Sequence, residues 1–126
     1  MSRLTSKIQA GLLALALPTA ASAAPNDLTM GFANCAGRLS ATMEFEWLLG
    51  QDGETARAER DAMVSLLEAV MAPEDARDTL ARRIEAKYAH SVLLTRAHFN
   101  DDAQDAAWAA DRAEVEIGSC RALILS

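Results

Sequence analysis

Apolar residues recur along most of this chain at steps of three and four, the period of a helix buried on one side, and no stretch alternates long enough to make a strand. A short extended lead over 24–28 precedes a first helix, in which Phe32, Cys35, Leu39, Met43 and Trp47 form the stripe and Phe45, Leu48 and Leu49 widen it. Gly50 suits a left-handed C-terminal cap, and Gln51-Asp52-Gly53 makes the turn. The second helix spans about 54–71, with Ala56, Met63, Leu66, Leu67 and Val70 on its apolar face and Arg57 spaced to pair with Asp61. Ala72-Pro73 ends it, because proline disfavours a helical residue before it and is welcome in a first helical turn.

Pro73-Glu74-Asp75 opens the third helix, with acids near its positive end. Its spacing puts Ala76, Leu80, Ile84, Tyr88, Ser91, Leu94 and His98 on one stripe, flanked by Val92 and Leu93. Asn100-Asp101-Asp102 marks a new start, with Asp101 and Gln104 spaced as a capping box. The fourth helix places Ala103, Ala106, Ala110, Ala113, Ile117, Cys120 and Ile124 on one face, with Gly118 the weak position inside it. The fold class is all-α, a four-helix antiparallel bundle or an irregular helical array. Connections this short make sequential helices antiparallel neighbours. Four alternating helices bring the start of the first and the end of the last to one end of the bundle. Cys35 and Cys120, the only two cysteines, lie at those two places, 85 positions apart, and are expected to bond.

The N-terminal segment sets the compartment. Arg3 and Lys7 precede an apolar run over 8–17, Pro18 breaks it, and Ala21-Ser22-Ala23 supplies small residues at a cleavage site. That order reads as a secretory signal peptide over 1–23, leaving one domain over 24–126. The apolar run is too short to span a bilayer, which needs roughly 20 residues. An oxidising compartment, periplasmic or secreted, agrees with the cysteine pair. The full chain of 126 residues has a formal charge of −6, and the part from residue 24 onward holds 10 basic and 18 acidic side chains. Such an acidic balance argues against nucleic acid and anionic membrane as partners and favours a basic one. No later apolar run approaches membrane-spanning length, so no stable membrane insertion is expected, and the expected partner is another exported protein.

Candidate chemistry is sparse. His90 and His98 stand eight apart on one helix, about 12 Å along its axis, too far to share an ion. The Cys-x-x-Cys-His haem signature and the Glu-to-His spacing of di-iron bundles are missing. No phosphate loop or nucleophile elbow appears, and no catalytic residue, metal site or cofactor is assigned. Trp47 and Trp108 are candidate contact residues, with Arg112 spaced to edge the second indole. Arg82 and Arg83 with Lys87 form the densest basic cluster, and His98 is the remaining candidate ligand group. These features lean towards a non-enzymatic protein-interaction, accessory or chaperone-like module. The alternative is a bundle that holds a small molecule, haem or metal near His98, Arg82 and Met43, or a small helical enzyme.

Overall fold

The computed structural model of the protein describes residues 25–126, so the stretch read as a signal peptide lies outside the described residues. Four helices account for most of the described chain: α1 (Asp27–Leu48), α2 (Glu54–Val70), α3 (Ala76–Phe99) and α4 (Ala103–Leu125). A 3-10 turn over Pro73–Asp75 leads into α3, and no strand occurs among the described residues. Helix α1 starts earlier than its pattern suggests. Asn26 caps it, its side chain accepting from the backbone N–H of Thr29 at 2.8 Å, so Asp27 and Leu28 are helical rather than extended. Helix α4 is capped by Asp102, not Asp101, through the N–H groups of Gln104 and Asp105. The long α3 is unbroken.

The main hydrophobic cluster joins α1, α2 and α4. Phe32, Ala33, Cys35, Ala36 and Leu39 pack with Met63 and Leu67 of α2 and with Ile117 and Cys120 of α4. Cys35 and Cys120 are bonded, with Cα atoms 5.3 Å apart. This fixes the start of α1 beside the end of α4. Arg38 and Glu116 pair one turn further along at 2.7 Å, as antiparallel helices require.

Helix α3 contributes nothing to that cluster. It lies along another side of α1, running in the same direction, with Gly37 against Arg83 and Lys87 and Phe45 against His98. Helices α2 and α3 make no close backbone approach, although they are consecutive. The expectation that sequential helices are neighbours therefore fails at this step. The alternation of direction survives, but α1 occupies the centre and the array is open between α2 and α3. The cause is α1's run of small residues, Ala33, Ala36, Gly37, Ser40 and Ala41, which admits helices on more than one side.

The buried face of α3 also differs from its apparent stripe. Thr79, Ala86 and His90 face inward, whereas Leu80, Ile84, Tyr88 and Val92 are exposed. Two further expectations are corrected on the surface. Arg57 pairs with Glu54 at 3.6 Å instead of Asp61, whose carboxylate is taken by its neighbour Arg60. The C-terminal end of α1 leaves the core, with Trp47 and Leu48 exposed.

A Cβ on Gly37 would run into the carbonyl oxygen of Arg83 and lie 2.9 Å from the amide of Lys87, both rigid backbone atoms. Overpacking of this kind costs about 1–3 kcal/mol, against the roughly 1 kcal/mol that alanine gains over glycine inside a helix. Chemical denaturation should find Gly37→Ala destabilised by up to about 2 kcal/mol. Gly118→Ala, where a Cβ meets nothing within 4 Å, should be stabilised by roughly 0.5–1 kcal/mol. Reducing the disulfide should lower the unfolding free energy by about 4.5 kcal/mol, the loop-entropy value for a separation of 85 residues.

Candidate functional site

Two features stand apart from the packing. One is a cavity of about 310 Å³ between α1, α3 and α4, the other is the outer face of α3. The cavity follows from the alanine seam of α4. Ala110 and Ala113 line it from α4, with Leu94 and Ala97 from α3, and the short alanine side chains do not fill the space between the two helices. His90 forms part of its wall, with Ile117 beside it, and Glu46, Glu114 and Arg121 add charged groups.

His90 is 1 % exposed, and neither ring nitrogen has a hydrogen-bond partner. Buried imidazole nitrogens without partners are costly, since each forfeits its bond to water. Burial, aided by the positive charge of Arg38 and opposed by Glu116, pushes the His90 pKa down from 6.5 to about 4. Its ring is therefore neutral at neutral pH. Arg38 is itself tied to Glu116, which also pairs with Arg112.

The residues singled out from sequence do not converge. Trp47 lies across the α1–α2 turn, its indole N–H donating to the Asp52 carbonyl at 2.8 Å. Gly53, in the left-handed region at φ 66°, leaves room for that ring, since a Cβ there would sit 2.8 Å from the indole nitrogen. Trp108 is half exposed, and the cation over its ring is Arg96 at 5.1 Å rather than Arg112. Arg96 in turn bonds Asp105 at 2.5 Å, which raises the arginine's pKa and lowers that of the carboxylate. His98 is exposed and stacks edge-on with Phe45 and Phe99, at centroid distances of 5.7 and 4.8 Å. Arg82 reaches only Glu85 of its own helix, at 3.5 Å. Met43 is buried and accepts from Arg60, so the grouping of His98, Arg82 and Met43 is not assembled.

Arg83 and Lys87 do belong together. With Leu80, Ile84, Glu44 and Gly37 they line a second hollow of about 200 Å³ between α1 and α3, and Lys87 bonds Glu44 at 2.5 Å. Spacing on the helix shows only that His90 and His98 cannot share an ion and does not single out His90. The available signal was its position: His90 follows Ala86 and precedes Leu94 and Ala97 at helical steps, on the face that holds α3 to the bundle.

Among the described residues, no group of three or more His, Cys, Asp or Glu side chains is placed to hold a metal ion. No helix among them is long and apolar enough to cross a membrane. Comparisons with protein-family models, with curated proteins and with solved structures found no match.

Folded, His90 stays neutral down to about pH 4, whereas in the unfolded chain it takes its proton near 6.5. Between these values the unfolded state binds the additional proton. The stabilisation is full above pH 6.5 and is lost as the pH falls towards 4. The interval corresponds to about 3 kcal/mol. Urea titrations across this range should record that loss, and His90→Leu should remove its share of the slope.

Proposed function

We propose that the protein is an exported, extracytoplasmic and non-enzymatic module that binds another protein through the outer face of α3. The observation that carries this reading is the exposure of Leu80 (55 %), Ile84 (60 %), Tyr88 (73 %) and Val92 (39 %), four large apolar side chains one turn apart on one helix. A helix that is apolar on two sides is commonly covered on both, and nothing in the described chain covers this one. The hollow between α1 and α3 beside Leu80 and Ile84 offers a place for an incoming side chain.

Charge identifies the kind of partner. From residue 24 onward the chain carries ten basic side chains and 18 acids, and α3 holds five of the former with only two of the latter. Arg77 and Arg83 make no ion pair among the described residues. The stripe is thus apolar with a basic border on an otherwise acidic molecule. It fits an amphipathic segment of another protein flanked by Asp and Glu, and a basic partner would be drawn to the acidic faces elsewhere. Export rests on the signal-like segment over 1–23 together with the disulfide.

A photoreactive phenylalanine analogue in place of Tyr88, compared with the same analogue at exposed Glu68 of α2, tests the assignment in cells. Adducts should form from position 88 and not from 68, with a partner segment rich in acids, and Ile84→Glu should abolish them while helix content stays unchanged. Equal yields from both positions, or insensitivity to Ile84→Glu, would overturn the reading. An adduct of twice the chain's mass would instead identify a second copy as the occupant and refute the heterologous partner.

A further inference from the structure

We infer that the turns of α3 around His90 form an acid-operated latch: when the ring takes a proton, this stretch unseats from α1 and α4, while α1, α2 and α4 stay together. The argument does not use the outer face of α3. His90 sits where three helices meet, with Arg38 of α1 and Glu116 of α4 close enough to act on its charge. It is almost completely buried, and neither ring nitrogen has a hydrogen-bond partner. An imidazolium carries two N–H donors and a full charge, and a slot that offers neither acceptor nor water disfavours it strongly. Both nitrogens are shut off from solvent, so a proton reaches them when the slot opens.

The fold decides which helix gives way. Cys35 and Cys120 tie α1 to α4, Arg38 pairs with Glu116 across the same two helices, and the main hydrophobic cluster holds α2 with them. Helix α3 supplies no residue to that cluster. Beside His90 lies the cavity of about 310 Å³, lined by Leu94 and Ala97 of α3 and by Ala110 and Ala113 of α4. A shift of α3 at this level breaks few apolar contacts, because the space is already unfilled. The anchors of α3 lie to either side. On one side Gly37 meets the backbone of Arg83 and Lys87, and on the other stand the Arg96–Asp105 pair and the aromatic group of Phe45, His98 and Phe99. The unit that opens is the segment between Lys87 and Arg96.

The surroundings of the ring differ in sign between the two states. In the closed slot the Arg38 guanidinium disfavours a second cation, and Glu116, which opposes it, is already shared between Arg38 and Arg112. The cavity outside the slot is lined by Glu46 of α1 and Glu114 of α4, neither in an ion pair among the described residues. Arg121, which also lines it, is bonded to Glu59 of α2, and on α3 itself Lys87 is taken by Glu44. An imidazolium released from the slot meets water and unopposed carboxylates. Burial holds the closed ring neutral down to about pH 4, whereas a solvated ring charges near 6.5. Opening therefore grows as the pH falls below 6.5 and levels off near 4.

The test is native-state hydrogen exchange on the purified, disulfide-bonded protein at about pH 7 and pH 5, each with a series of low urea concentrations. Amides between Lys87 and Arg96 should exchange through an opening that depends weakly on urea, the mark of a local event. Their protection factors should fall about twentyfold from pH 7 to pH 5, the change in opening equilibrium that proton affinities of 6.5 and about 4 imply. Amides around Leu39 and Ile117 should exchange only in the strongly urea-dependent global opening and stay better protected at both pH values. His90→Leu should give α3 the same protection at the two pH values, whereas His98→Gln should keep the fall. An α3 opening with the urea dependence of Leu39, protection unchanged by acid in the wild-type protein, or a fall that survives His90→Leu would each overturn the inference. Loss of the fall in His98→Gln would overturn it as well.

Discussion

The closeness with which α1 and α3 approach at Gly37 determines the shape of the rest. Two helices meet this tightly only where one presents no side chain, and the amide of Lys87 and the carbonyl of Arg83 occupy the space that a Cβ would need. Once α3 is seated there, α1 is used on several faces at once. Its residues Phe32, Cys35, Ala36 and Leu39 serve the cluster with α2 and α4, and Gly37 serves α3. Over that stretch α1 is mostly small or apolar, and its charged side chains there and beyond, Arg38 and Glu44, are each paired with a neighbouring helix.

The disulfide and the glycine contact divide the work. The bond between Cys35 and Cys120 ties α4 to α1 in the only large hydrophobic cluster among the described residues. Helix α3 is held differently, by close backbone packing, by the Lys87–Glu44 pair and by the aromatic group of Phe45, His98 and Phe99 at the far end of the bundle. The space between α3 and α4 is where these two modes of attachment meet, and the alanines of α4 do not fill it. The cavity is a consequence of that mismatch rather than of any one residue.

The sequence made the helices readable because each is long, strongly periodic and bounded by Gly, Pro or Asx residues. The cysteine pairing was readable because four alternating helices put Cys35 and Cys120 together. The orientation of α3 was not readable. A periodicity argument assumes that apolar residues face inward, and Leu80, Ile84, Tyr88 and Val92 form a more regular stripe than Thr79, Ala86 and His90. The inner face is governed by size, since a close helix contact wants alanine and threonine where bulky groups would hold the helices apart. Hydropathy alone ranks the two faces in the wrong order. The same blindness applied to Gly37, which reads as a weak helical residue until a neighbour's backbone is placed against it. Of the candidate site residues, Arg83 fell beside a hollow, while Trp47 and Trp108 proved to hold a turn and an arginine.

The two unusual features of α3 have a common origin. A helix packed through small side chains sits close enough that its large apolar residues must point away, which exposes Tyr88 and Ile84. The same closeness draws His90 too deep for water to reach either nitrogen. Burying an imidazole without partners costs on the order of 1–3 kcal/mol per polar atom left unsatisfied, and leucine would occupy that place at no such cost. The stripe likewise costs solubility, for an exposed surface of that kind is a hazard in a protein that acts alone. Stability by itself explains neither the histidine nor the stripe; under the function proposed above, the stripe is apolar on its solvent side because the surface of a partner covers it.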